Sequence, residues 1–84
     1  MSLTEQIANL NDVQIHSLHN TLLDACTAME LGGNWREVFR RAKQRHIGLM
    51  KRIYELLHQA QPDDIDRAAN HLTAVLQHIP SKTS

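Results

Sequence analysis

The chain has one cysteine, two prolines, three glycines and three aromatic residues. Each scarcity excludes something. Cys26 has no second cysteine to pair with, which rules out an internal disulfide framework, and a lone thiol suits a reducing, cytoplasmic setting. Three aromatics are too few for a platform on which bases of a single-stranded nucleic acid stack. No apolar run approaches the roughly 20 residues of a membrane span. The opening MSLTEQIANL has no basic stretch followed by an apolar core, so it does not read as a secretory signal. No excess of either charge exists, because nine Lys and Arg balance nine Asp and Glu. A glycine-rich phosphate loop, a Ser-His-Asp pattern and paired cysteines are also lacking. The sequence therefore points to a non-enzymatic protein without a cofactor.

What is present is helix. No stretch alternates with a period of two, as a half-buried strand would. The length of 84 residues fits one domain, residues 1–80, with a flexible C-terminal tail, 81–84. Ser2 and Glu5 form a capping-box pattern that starts a short helix at about Leu3, ending near Asn9. Asn11 and Gln14 repeat it for a second helix, from about Asp12 to Glu30, with Leu10 and Ile15 at the staple positions. Gly32 and Gly33 end that helix. Asn34 and Glu37 give a third start, and the spacing predicts a long helix from Trp35 to about Ala60. Gln61 and Pro62 stop it. Asp63, Asp64 and Asp66 place negative charge at the start of a last helix, which runs to about His78 before Pro80. The fold class expected is all-α, a small antiparallel helical bundle.

The apolar residues form stripes. Ile15, Leu18, Leu22, Ala25, Cys26 and Met29 line the second helix. Ile65, Ala68, Ala69, Leu72, Val75, Leu76 and Ile79 line the last. On the third, Trp35, Phe39, Ala42, His46, Leu49, Ile53, Leu56 and Ala60 are spaced alternately four and three apart. That is a heptad seam with one polar member, His46, and Val38, Met50 and Leu57 widen it. Such a helix of about 26 residues spans roughly 39 Å; the first two helices together could cover it and the last only part, which leaves spare apolar surface. A homodimer centred on it is the expectation.

Charge is segregated although its sum is zero. Residues 36–52 carry seven bases and one acid, 7 − 1 = +6, and the rest carry 2 − 8 = −6. On a continuous helix with Trp35 at zero, Arg36, Arg40, Lys43 and Lys51 lie at about 80–160° and Arg41, Arg45 and Arg52 at about 240–280°. Both sets flank the seam. Basic stems often lie over a buried stripe, and acids such as Asp24 and Glu30 could pair with them. Ile47 departs from that pattern. It falls at about 120°, between Lys43 and Lys51, with Tyr54 at about 100° on the same side. An aliphatic and an aromatic rimmed by Arg36, Arg40, Lys43 and Lys51 make an apolar centre with a charged edge, the composition of a protein-binding surface. Arg41, Arg45 and Arg52 form a secondary basic flank. The partner expected is a protein with an acidic or amphipathic surface, bound by a regulator or adaptor. The alternative is a nucleic acid laid along the same basic helix.

The remaining polar groups give weaker signals. His16 and His19 are three apart, but no third metal ligand accompanies them. Cys26 sits in an apolar stripe, as a small core residue does. Gly48 lies inside the predicted long helix, where it costs roughly 1 kcal/mol relative to alanine and permits close approach of another backbone.

Overall fold

A computed structural model describes residues 3–78. Among them are five helices and no strand: α1 Leu3–Ile7, α2 Asp12–Glu30, α3 Trp35–Arg45, α4 Gly48–Gln59 and α5 Pro62–Gln77. The expected roles of Ser2, Ile79 and Pro80, and of the tail 81–84, lie outside the described residues.

The ends of α2 follow from local chemistry. The Asn11 Oδ1 accepts the Gln14 N–H at 2.8 Å, and the Gln14 Oε1 accepts the Asn11 N–H at 3.0 Å. Two otherwise orphaned donors are thereby satisfied. At the other end Gly32 takes φ +74°. The Gly33 N–H then reaches the Ala28 carbonyl at 2.7 Å, and the Gly32 N–H reaches that of Met29 at 3.1 Å. This is a Schellman stop. At the start of α5, Pro62 occupies the first turn, where its missing N–H costs nothing. Asp64 reaches back to accept the Gln61 N–H at 3.3 Å.

The long third helix does not form. The chain leaves helical geometry at His46 (φ −128°) and Ile47 (φ −129°) and turns through Gly48, at φ +67°. Glycine takes that left-handed conformation without the cost a Cβ would impose. A straight helix over 35–60 would also be about as long as the whole molecule, whose largest extent is 37 Å. Instead α4 doubles back on α3. Arg36, at the start of α3, meets the carbonyl of His58, at the end of α4. Phe39 stacks on Tyr54 at 6.5 Å between centroids, and His46 lies 5.0 Å from the same ring. The Asn34 cap is absent as well, since its side chain makes no capping bond and Glu37 turns to Arg40 and Arg41.

The break re-aims the second half of the seam. Its core-facing residues are Met50, Ile53, Tyr54 and Leu57, spaced i, i+3, i+4 and i+7, while Leu49 and Leu56 are only partly covered. Tyr54 is thus a core residue, fully buried, with its hydroxyl 3.2 Å from the Thr21 Oγ1 on α2. The core is completed by Ile7 of α1 and Leu10 after it, Ile15, Leu18, Leu22 and Ala25 of α2, Phe39 and Ala42 of α3, and Ile65, Ala68, Ala69 and Leu72 of α5. Helices α2 and α5 meet in opposite senses: His19 touches Thr73, and Cys26 touches Asp66.

Candidate functional site

The turn between α3 and α4 exposes what a straight helix would not. Ile47 is 89% exposed. It sits at the end of two helices that fold together, so neither can cover it. Across a groove stands Val13, 78% exposed, in the first turn of α2 and off its apolar stripe. The groove holds about 350 Å³ and is lined by Val13, Gln14, Ser17, Arg45, His46, Ile47 and Met50. Met50 is buried and His46 half-buried, which gives the groove an apolar base. The His46 ring is held in place. Its Nδ1–H donates to the Ala42 carbonyl at 2.8 Å, taking one of the acceptors left open at the end of α3. His46 thus acts as a helix cap rather than as the polar member of a continuous seam.

The basic residues divide into two groups. Arg36 is structural: its Nη1 donates to the His58 carbonyl at 2.6 Å, and its Cζ lies 4.4 Å from the centre of the Trp35 ring. Arg40 and Arg41 share Glu37. Arg40 grips it through both Nε and Nη2, and Arg41 reaches it at 3.3 Å. These bonds, from Arg40 above all, bring the Glu37 carboxyl down to about 2. Lys43, Arg45, Lys51 and Arg52 stand in no ion pair among the described residues. Nor do Asp24 or Glu30 cross to meet them there. Arg45 lines the groove beside Ile47, and Lys51 lies in the first turn of α4. Arg45 and Ile47 line one groove, while Lys43 and Lys51 each lie four residues from Ile47 along the chain. Arg36 and Tyr54 fall away from it, since one ties the far end of the α3–α4 pair and the other fills the core.

Val13 and Arg45 are the residues that sequence reasoning missed in this role. Val13 carried a signal, being aliphatic at a helix start and out of phase with the buried stripe. Arg45 carried none, because on a continuous helix it lies on the opposite flank from Ile47.

Elsewhere, burial foremost, with Asp66 close by, pushes the Cys26 thiol up, which disfavours the reactive thiolate. His19 is engaged with Thr73 at 3.0 Å. Among the described residues no three His, Cys, Asp or Glu side chains converge as metal ligands would, and no helix is long and apolar enough to cross a membrane. Comparison with known proteins found no matching family model, no matching curated protein and no matching solved structure.

Proposed function

We propose that this is a small non-enzymatic regulatory or adaptor protein that holds a protein partner at the α3–α4 turn. The observation that carries the reading is the pair of exposed aliphatics, Ile47 and Val13, lining one groove together with Arg45, which stands in no ion pair among the described residues. Such a surface desolvates readily at its centre, while its rim stays wet and charged, which is how binding energy concentrates in a few residues. The fitting partner has an acidic or amphipathic surface. Lys43, Arg45 and Lys51, joined by Arg52, Arg40 and Arg41 further out, would steer it in, and Ile47 would anchor it. A lone free thiol is compatible with a cytoplasmic setting.

A nucleic acid is the second reading, supported by the same unpaired cations. The neutral sum of charges and the aliphatic centre favour protein, because phosphate offers Ile47 and Val13 nothing to bury against.

Affinity capture from the native source, with and without nuclease, tests the choice. A protein should remain after nuclease treatment, and Ile47→Ala should weaken it by about 1–2 kcal/mol. Reversing Arg45 and Lys51 to glutamate should slow association and flatten its dependence on salt. Were nuclease to abolish capture, with Ile47→Ala harmless, the nucleic-acid reading would take its place.

A further inference from the structure

We infer that the α3–α4 turn is a hinge, and that a second copy of this chain is its partner when it opens: α4 and α5 of each chain exchange onto the α1–α3 half of the other. This goes beyond the reading of the closed turn as a docking surface and does not rest on it. Three observations converge.

The first is the phase of the seam. Trp35, Phe39, Ala42, His46, Leu49, Ile53, Leu56 and Ala60 keep heptad spacing straight through the break. The spacing therefore suits one continuous helix as well as two helices folded together. Opened out, residues 35–59 would form one amphipathic helix about 37 Å long.

The second is how lightly the turn is tied. Ile47 offers no side-chain cap to α4, and only the His46 ring caps α3. The first N–H groups of α4 and the last carbonyls of α3 are those that an uninterrupted helix would join to each other. A Cβ built at Gly48 meets nothing within 4 Å. What alanine would lose there is therefore the left-handed backbone alone, and a straight helix removes that demand.

The third is the distribution of packing. Helix α4 lies chiefly against α3 and α1, and α5 chiefly against α2. Every major contact of the α4–α5 arm is thus with the other half of the chain. Exchange re-forms all of them between two copies, and only the hinge itself changes. A two-residue connection that holds such an arm is the arrangement that favours swapping. Ile47, stranded in the closed form, then sits where the two straightened hinges approach, and Gly48 leaves room for that approach.

The test is Gly48→Ala, with mass measured by light scattering over micromolar to millimolar concentration. Alanine disfavours the closed turn and favours the straight helix, and two hinges open per dimer. The association constant should rise on the order of a thousandfold over the native chain. Inserting Gly-Ser-Gly between Ile47 and Gly48 should move it the other way. Spin labels on Arg41→Cys and Gln59→Cys, in a Cys26→Ser chain diluted with unlabelled protein, report the conformation within one chain. A separation of about 27 Å is expected in the dimer, against under about 20 Å in the folded-back monomer. A Gly48→Ala chain that stays at 9.6 kDa throughout, or a dimer that keeps the short distance, would overturn the inference. If that variant does not fold, native chain refolded at millimolar concentration takes the same readout, with the same two results deciding.

Discussion

Two turns in this molecule look alike and behave differently. Each places an exposed aliphatic just before a glycine with positive φ: Leu31, 81% exposed, before Gly32 at +74°, and Ile47, 89% exposed, before Gly48 at +67°. The first is closed by two backbone bonds into the end of α2 and has no base within three residues on either side. The second is held by one histidine ring and lies inside the chain's only basic segment. An exposed aliphatic is common on protein surfaces and means little alone. The company it keeps separates the two: Ile47 lines a groove with Val13 and the unpaired Arg45, whereas Leu31 has no base near it along the chain.

The comparison can be broken most severely through the core beneath the second turn. Phe39 is fully buried and contacts Trp35 edge-on at 5.9 Å as well as Tyr54. Phe39→Ala should cost about 3–5 kcal/mol in urea unfolding, a large share of what a domain this small has. Leu31→Ala, at the first turn, should stay within about 0.5 kcal/mol. Next in size is Gly32→Ala. It forces a side chain into left-handed geometry and should cost about 1–2 kcal/mol, with the chain's mass unchanged, unlike the equivalent change at Gly48.

Smaller effects sharpen the contrast. Arg36→Gln removes the bond to the His58 carbonyl that ties the open ends of α3 and α4. It should cost about 1 kcal/mol and leave binding at the far turn intact. The least effect concerns acid. The Glu37 carboxyl is held at about 2, against an ordinary value of 4.5. Its folded value is the lower one, so its contribution is complete above 4.5 and disappears as pH falls toward 2. Glu37→Gln should flatten that part of the acid limb slightly, and direct titration of the carboxyl by NMR should show the depressed midpoint. Solvent around this pair keeps the change small.

Helix ends proved legible where side chains or glycine pairs mark them. Asn11 with Gln14 and Gly32 with Gly33 act through bonds to groups a few residues away, so sequence carries them; Asn34 with Glu37 marks the start at Trp35 without forming the cap. The break at His46–Gly48 was hidden for a physical reason. The seam keeps its phase across it, and periodicity cannot tell one helix of two faces from two helices folded together. Gly48 was the signal, and its cost to a continuous helix was visible, but not which conformation it would take. Tyr54 follows from the same break, since its angle beside Ile47 holds only on a straight axis. Of the candidate site, Ile47, Lys43 and Lys51 came from sequence. Val13 and Arg45 required the turn, because only folding brings the start of α2 and the end of α3 to one groove.

The most direct measurement compares Ile47→Asp with Leu31→Asp. Both change an exposed aliphatic to a carboxylate just before a positive-φ glycine, and neither opens the core. Far-ultraviolet circular dichroism first confirms that both variants are folded, and each is then used to capture the partner after nuclease treatment. The expected result is loss of capture by Ile47→Asp, by tenfold or more on the order of a central anchor, with Leu31→Asp equal to the native chain. Equal capture by all three would contradict the account, and loss confined to Leu31→Asp would move the functional surface to the other turn.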